Sequence, residues 1–229
     1  MLQRLSTFFL ALTVLFLSAC VTQTPMAFKD DAQRITAASK PIFLMTATLG
    51  NDYRPSYQPG LRRVYVDRAG SKEGTDRIYF TPDEKTGYAA QDGKPSNNYL
   101  LRFELAPGDY VIHGMHAMTF SFPFTGNFLL PLHIPLTSRD GGVYYLGHVQ
   151  AVVRERVGEE FRAGPVIPLI DQAVAGASGG TFEIAVSDRQ EADEAAFRAR
   201  FPALQGVMVK KAILPAFDRA KAQEWWQAH

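Results

Sequence analysis

The chain has 229 residues, of which 46% are hydrophobic and 12% aromatic, which is enough to bury the core of a domain and excludes a mostly disordered chain. Its 24 Lys and Arg and 23 Asp and Glu leave a formal charge of +1 without a basic stripe, so the composition indicates no nucleic-acid partner. Cys20 is the single cysteine, which excludes an internal disulfide.

Residues 1–19 have the three parts of a bacterial secretion signal. Arg4 supplies a positive charge, residues 8–17 are almost wholly apolar, and the small residues Ser18 and Ala19 follow. The apolar run is too short for a typical membrane-crossing helix but suits a signal peptide. An ordinary signal peptide with an incidental cysteine, or an uncleaved membrane anchor, is the alternative interpretation.

The motif LSAC at residues 17–20 resembles the lipobox of bacterial lipoproteins. In that family the leader is cut before the cysteine, the thiol is diacylated, and the new N-terminus is usually acylated too. Several acyl chains anchor a protein stably, whereas a single chain anchors it only marginally. The resemblance implies lipidation of Cys20. Because Val21 follows the cysteine, it also implies a place in the outer membrane, facing the periplasm.

The predicted organisation after the leader is a tether followed by one folded domain. Residues 20–40 are polar and mixed in charge, which predicts a lipidated N-terminus and tether. From residue 41, apolar runs separated by Gly, Pro, Asn and Asp predict a domain over residues 41–229. Its first strands are predicted at residues 42–49, 62–67 and 77–81, where apolar residues cluster or alternate.

Residues 98–122, NYLLRFELAPGDYVIHGMHAMTFSF, predict a β-hairpin. The first arm places on one face Tyr99, Leu101, Phe103 and Leu105. The second arm places on one face Tyr110, Ile112, Met118, Phe120 and Phe122. The turn comes from APGD at residues 106–109, where proline fixes φ and glycine accepts a positive φ. Alternation on both sides of such a turn predicts an antiparallel pair.

The remaining strands come at shorter intervals. Residues 128–136 are apolar but interrupted by two prolines, which predicts an edge strand. Residues 143–157, VYYLGHVQAVVRERV, predict one bent strand or a hairpin, and residues 181–187 alternate as another strand. Seven or eight short strands without helices between them predict a mainly β protein, an antiparallel β-sandwich of the immunoglobulin-like or prealbumin-like kind.

The C-terminal part predicts one or two helices. Residues 188–201 are rich in Ala, Glu and Arg, with acids early and basic residues late, which suits a helix that Asp188 can cap. Residues 207–214 predict a last strand, and the segment from Pro215 to the end predicts a terminal helix. Because Trp225 and Trp226 are adjacent, we expect one to pack on the sheet and the other to be partly exposed.

Two motifs in the domain are similar to a group of bacterial envelope lipoproteins and small sandwich modules. The pattern L-x-P-G-x-Y is carried by Leu105, Pro107, Gly108 and Tyr110, and Y-Y-L-G by residues 144–147. The similarity spans residues 99–204 in outline, including an acidic helix that ends near "F-P". Members of the group mostly lack an assigned activity, so the resemblance implies the sandwich fold and the envelope and transfers no catalytic residue.

The histidines are candidate metal ligands, because paired imidazoles bind zinc or copper. His113 and His116 are three residues apart, which on a regular strand places them on opposite faces. Only a bulge near Gly114 would let them share a metal. His133 and His148 lie on other strands and could converge with one of the first pair. No metal site and no cofactor is predicted.

Catalytic motifs are weak in this sequence. Ser178 lies in a G-x-S-x-G match, but that motif works where a strand precedes and a helix follows, and here a strand is predicted to follow. Adjacent acids such as Glu159 and Glu160 are typical of solvated faces. No catalytic residue is predicted, and activity as an enzyme is less expected than its absence.

The segment YRPSYQPGLRRVYVDR combines Tyr and Arg, the residues enriched where proteins bind partners. The candidate binding surface consists of Tyr53, Arg54, Tyr57, Arg62, Arg63 and Tyr65; alternatively, Arg63 and Tyr65 only cover a sheet. The leading interpretation is a non-enzymatic module, attached to the membrane by its N-terminal lipid, that binds or scaffolds an envelope protein or glycan. The alternative is an envelope hydrolase acting on a glycan, peptide or ester.

Overall fold

Two β-sheets stacked face to face form most of the computed structural model, which describes residues 23–30, 32–36, 38–89, 95–167 and 172–229. The leader and the predicted lipidation site Cys20 lie outside the described residues. The strands are β1 Gln23–Pro25, β2 Ile42–Asn51, β3 Gly60–Arg68, β4 Arg77–Thr81, β5 Gly87–Tyr88, β6 Ser96–Glu104, β7 Gly108–Ser121, β8 Phe124–Ser138, β9 Val143–Glu155, β10 Gly180–Ser187 and β11 Val209–Lys211. The helices are α1 Gln190–Arg200 and α2 Arg219–Ala228, with a 3-10 turn at Pro202–Leu204.

Sheet A has the strand order β1-β4-β3-β7-β8. β1 runs parallel to β4, and the other neighbouring pairs of this sheet are antiparallel. β8 lies at the edge, as predicted from Pro131 and Pro135, because a proline has no N–H to donate to a further strand. The long hairpin of the domain is formed by β7 and β8.

Sheet B has the order β5-β6-β2-β9-β10, and β11 pairs with the start of β9. A mainly β sandwich of two sheets with two helices is therefore confirmed. The expectation of a wholly antiparallel sandwich is wrong, because three pairs of described strands run parallel: β1 with β4, β2 with β9, and β11 with β9. Of the eleven described strands, β1 and β5 were not predicted, because two or three residues are too few to show alternation, whereas β11 lies within the strand predicted at residues 207–214.

The predicted hairpin of residues 98–122 is wrong. β6 lies in sheet B beside β2, whereas β7 lies in sheet A beside β3, and residues 105–107 carry the chain from one sheet to the other. Leu101 and Phe103 belong to the same core cluster as Tyr110 and Ile112, which lie in the opposite sheet. An apolar face on each arm is equally compatible with strands that pack across a core, so alternation alone did not identify the strand partner.

The face predicted for β7 is also interrupted. The pairing of β7 shifts register between Ile112 and Gly114 on the β8 side, and at the same level on the β3 side. This β-bulge at His113 places both Ile112 and Met115 in the core, so the inward parity changes between them. Phe120 and Phe122, predicted on the face of Ile112, are instead 71% and 87% exposed.

The outer face of sheet B carries a second apolar cluster covered by α1. Phe197 and Phe201 pack there on Leu44 and Leu100, which point away from the main core. The segment after β1 joins this cover, since Phe28 is fully buried. Residues 23–28 therefore belong to the fold, which corrects their assignment to the tether.

Both predicted C-terminal helices are present. Asp188 accepts a hydrogen bond from the Gln190 N–H (3.1 Å) at the start of α1, and Asp218 accepts one from Lys221 N–H (3.0 Å) at the start of α2. Such bonds satisfy N–H groups that a first helical turn leaves unpaired. Within the part of the chain that the structure describes, no helix has the length and apolar character needed to cross a membrane.

Candidate functional site

A groove of about 450 Å³ lies where α2 packs against β8, and we call it the tryptophan groove. Its lining consists of Leu129, Arg162, Pro165, Val166, Trp225, Trp226 and His229. Ligand sites are typically clefts of this size with mostly apolar walls and a few polar groups. Arg162 and His229 are the polar groups here, and Val166 is 64% exposed at the rim. The groove therefore has the general form of a ligand site.

Helix α2 supplies both tryptophans of the groove from its buried face. Ala222 is fully buried, and Trp225 and Trp226 lie one helical turn after it, where side chains share that face. Trp226 packs against the main core. Lys221 fixes the helix on β8 by donating to the His133 carbonyl (3.0 Å). We expected one tryptophan to pack on the sheet and the other to be partly exposed. Instead both are half-buried: Trp226 packs against the main core, and Trp225 packs against His113 and His133.

Two buried histidines form the wall behind Trp225. The ring centroids of His113 and His133 are 4.5 Å apart, and the Trp225 ring lies 5.3 Å from the first and 5.0 Å from the second. His133 has a positive φ of 51°, a conformation that costs energy for a residue with a Cβ. Its Nε2 is buried without a hydrogen-bond partner. Burial, together with the neighbouring His113, lowers the pKa of His133 to about 4.

An acidic side completes this cluster. Nε2 of His113 lies 3.0 Å from a Glu73 carboxylate oxygen, and the Trp225 indole N–H donates to the other oxygen (2.8 Å). Asp67 is 3.5 Å from the Nδ1 of His113 and is held by Arg77 (2.7 Å). Burial and Arg77 lower the pKa of His113 more than the two carboxylates raise it. At neutral pH the His133 imidazole is therefore neutral, and the contacts of the cluster fix the position of Trp225.

His133 converges with His113, as the sequence allowed, whereas His116 lies apart from this pair. The bulge turns His113 and His116 toward the same, outer face of sheet A, so the predicted opposite faces are wrong. His116 is level with Arg63 on β3 and Leu129 on β8. Among the described residues, no three His, Cys, Asp or Glu side chains are arranged to hold a metal ion.

A second polar cluster lies under α1. Asp193 accepts hydrogen bonds from Thr46 Oγ1 and Tyr145 Oη, both at 2.5 Å, and Thr46 Oγ1 is 2.8 Å from Nδ1 of His148. Because Thr46 gives its proton to Asp193, His148 donates from Nδ1 to Thr46. Burial and Arg189 lower the pKa of His148 to about 4, and burial with Asp193 raises that of Tyr145.

Hydroxyl, imidazole and carboxylate are the components of a nucleophilic triad, but here the hydroxyl donates to the carboxylate and not to the imidazole, and all three groups are buried. Thr46, His148 and Asp193 are 0%, 3% and 2% exposed. Their hydrogen bonds join β2 and β9 to α1, so the network holds the helix on sheet B. Ser178 of the G-x-S-x-G match lies two residues before β10, and the predicted strand after it is confirmed.

The predicted Tyr and Arg surface is divided between two places. Tyr53, Arg54 and Tyr57 lie in the loop from β2 to β3, where the Arg54 guanidinium covers the Tyr53 ring at 4.5 Å. Arg62 is exposed at the start of β3. Arg63 and Tyr65 lie on the outer face of sheet A, where both contact the Tyr79 ring, as the alternative interpretation expected.

The tip of the β7–β8 hairpin is the surface that the sequence did not predict, and we call residues 120–124 the aromatic finger. Phe120, Phe122 and Phe124 are 71%, 87% and 37% exposed. The signal that would have found it is charge: no Asp, Glu, Lys or Arg occurs from Ala117 to Leu132. Alternation alone predicts Phe120 and Phe122 on the face of Ile112, which is buried.

Comparison of the chain with protein-family models, with curated proteins and with solved structures finds no match.

Proposed function

We propose that the protein is a lipid-anchored binding module of the bacterial envelope, with a sandwich of the immunoglobulin-like or prealbumin-like kind, that holds an apolar segment of a partner protein in the tryptophan groove. The observation that supports this most is the groove itself, with apolar walls, two polar groups and a volume of about 450 Å³. Peptide-binding proteins use such grooves to receive the apolar side chains of a partner segment.

A protein partner suits the groove better than a glycan. Sugars bind tryptophan by stacking on an open indole face, and Trp225 offers none, because it lies against His113 and His133 and stacks on His229 at 4.9 Å. Apolar side chains of a peptide need only apolar surface to pack against, which Leu129 and Val166 supply beside Trp226.

The hydrolase alternative is weaker at this groove. A covalent hydrolase needs a nucleophile next to a base within reach of the substrate. The lining residues that the structure describes include no Ser, Thr or Cys, and the hydroxyl–imidazole–carboxylate cluster under α1 is buried. The binding role is therefore the better proposal.

The envelope location rests on the lipobox-like LSAC at residues 17–20 and is tested separately. Cells grown with a labelled fatty acid should label the wild-type protein, and Cys20→Ser should abolish both the label and the membrane attachment. Equal membrane attachment without label in both proteins would overturn the proposed lipidation.

The binding role is tested by a photo-crosslinking amino acid placed at Val166 in intact cells. The control position is Met208, which is 78% exposed and does not line the groove. We expect reproducible crosslinks to one protein from position 166 and none from position 208. Trp226→Ala, which removes one groove wall, should reduce the crosslinked product. The same products from both positions would contradict the proposal.

A further inference from the structure

The aromatic finger is apolar on both of its faces. Phe120 is paired with Thr125 across the hairpin and Ser121 with Phe124, so the rings of Phe120 and Phe124 lie on opposite faces of the ribbon. Phe122 is at the tip and is 87% exposed. A finger that binds a groove on another protein needs only one apolar face, whereas a fluid hydrocarbon phase accepts rings on every side.

The finger also lacks the charges that oppose transfer into a bilayer. From Ala117 to Leu132 the chain has no formally charged side chain, although 21% of the whole chain is charged. Charged groups are the residues that the hydrocarbon region excludes most strongly, and aromatic rings enter it readily.

A collar of tyrosine and arginine lies at the base of the finger. The β2–β3 loop leads into Gly60, the first residue of β3, which pairs with Met118 four residues before the tip residue Phe122. The adjacent residues Ala175 and Gly176 lie between the finger base and this loop. A Cβ on Gly126, at the finger base, would lie 2.6 Å from Ala175, and a Cβ on Gly176 would lie 3.0 Å from Arg54 of the loop.

The side chains of this collar suit a lipid headgroup layer. Tyr53 and Tyr57 are half-buried, while Arg54 and Arg62 are exposed; Asp52 is the one acid between Asn51 and Arg62. Tyrosine has an apolar ring with a polar end, and arginine extends its guanidinium toward phosphate, so both residues favour the membrane–water boundary.

We propose that the aromatic finger inserts Phe120 and Phe122 into an anionic lipid bilayer while Arg54 and Arg62 bind its phosphates. This role goes beyond the proposed binding of a protein in the tryptophan groove. The membrane is the occupant that fits, because the finger is uncharged and apolar on both faces and its collar is basic.

The direction of β1 limits how close the proposed lipid anchor can lie to the finger tip. β1 runs parallel to β4, so Gln23 is level with Tyr79, Tyr65 and Gly114, and the chain runs from there toward the finger. From Gly114 to Phe122 the strand extends about 26 Å at about 3.3 Å per residue, whereas the three residues back to Cys20 span at most about 10 Å. If Cys20 carries a lipid, as the proposed function holds, the finger tip lies at least about 16 Å beyond the anchor along the strand, and we expect it to reach an apposed membrane.

The test uses the mature protein, purified from membranes and reconstituted by its own anchor in phosphatidylcholine donor vesicles. Protein-free acceptor vesicles contain either phosphatidylcholine alone or phosphatidylcholine with one quarter phosphatidylglycerol, and their capture by the donors is measured. Wild-type donors should capture the anionic acceptors. Phe120→Ser/Phe122→Ser should reduce capture at least tenfold, and Arg54→Gln/Arg62→Gln should remove the preference for the anionic lipid.

Met208→Ser, which removes an equally exposed apolar side chain elsewhere, is the matched control and should capture like the wild type. All of these positions are exposed, and thermal unfolding of each variant verifies that the fold is kept. Equal capture by the double Phe variant, capture of neither acceptor by the wild type, or crosslinking of position 122 to a protein in place of lipid would each overturn the proposal. Crosslinks from Val166 would persist in these cases, so the groove proposal is judged separately.

Discussion

Replacing Arg102 by methionine should lower the free energy of unfolding by about 3–5 kcal/mol, because it leaves a charge uncompensated in the interior. Arg102 is 0% exposed and has no contact with solvent. Its guanidinium donates to the carbonyls of Ala27 (2.7 Å) and Leu100 (2.8 Å) and to the Asp83 carboxylate (2.5 Å). It also lies 4.3 Å from the centre of the Phe201 ring.

The magnitude follows from what the substitution leaves behind. Methionine fills much of the volume of arginine, so the cavity term is small, but Asp83 keeps a carboxylate that is only 10% exposed and two carbonyls lose their donor. The double variant Arg102→Met/Asp83→Asn removes both charges and should recover part of the loss, since a buried pair replaced as a whole costs less than a broken one.

Urea unfolding followed by circular dichroism measures the change. The control is Lys40→Met, because Lys40 is 59% exposed and 4.0 Å from Glu104, and an exposed pair of this kind contributes at most about 1 kcal/mol. A loss from Arg102→Met as small as that from Lys40→Met would refute the reasoning. It would also contradict the finding that the segment containing Ala27 is part of the fold.

Two further perturbations test the buried histidines and the bulge. The pKa values of His133 and His148 are about 4 in the folded protein and about 6.5 in the unfolded chain. Between these pH values the unfolded chain binds more protons, so the free energy of unfolding falls as the pH drops from 6.5 to 4. At pH 5 the loss is about 2 kcal/mol per histidine. Urea midpoints at pH 7 and 5 should show this, and His148→Gln should lose about half the effect; an unchanged pH dependence in that variant would contradict it. Gly114→Ala should destabilise the protein by about 2–3 kcal/mol in thermal melts, because the new Cβ would lie 2.3 Å from the Leu130 carbonyl oxygen. The control Gly87→Ala, whose Cβ would have no atom within 4 Å, should change stability by less than about 0.5 kcal/mol. Equal effects of the two substitutions would exclude the close packing at the bulge.

Local patterns predicted the elements of this fold well. Alternation identified β3 and β4, and Val64 and Phe80 within them are both fully buried. Prolines identified β8 as an edge strand. These features depend on near neighbours along the chain, which is the information that a single sequence contains.

Features that depend on distant partners were not predictable. The turn before β7 gives the same pattern whether the strand returns beside β6 or crosses to the other sheet, and only the pairing of β6 with β2 and of β7 with β3 decides it. The bulge at His113 has the same origin, since it reverses the parity of every later residue in β7 without a distinct local pattern.

The candidate site was predictable only in fragments. His133 was recognised as a possible partner of His113, but their contact requires the β7–β8 register and the bulge. The groove depends on where α2 docks, which its sequence does not specify. The aromatic finger was not predicted, because alternation placed Phe120 and Phe122 on the face of Ile112. Their exposure follows from the bulge at His113 and from a hairpin that extends beyond the neighbouring β3.

The position of β2 has a consequence for how the protein is made. Both neighbours of this apolar strand come late in the chain: β6 begins at Ser96, and β9, which pairs with it over nearly its full length, begins at Val143. A chain that arrives N-terminus first therefore exposes two unpaired edges of β2 while more than half of the protein is still absent. Long-range pairings of this kind also fold slowly. We expect the newly delivered chain to depend on a holding chaperone until β9 has arrived, and a fragment that ends before Val143 to aggregate.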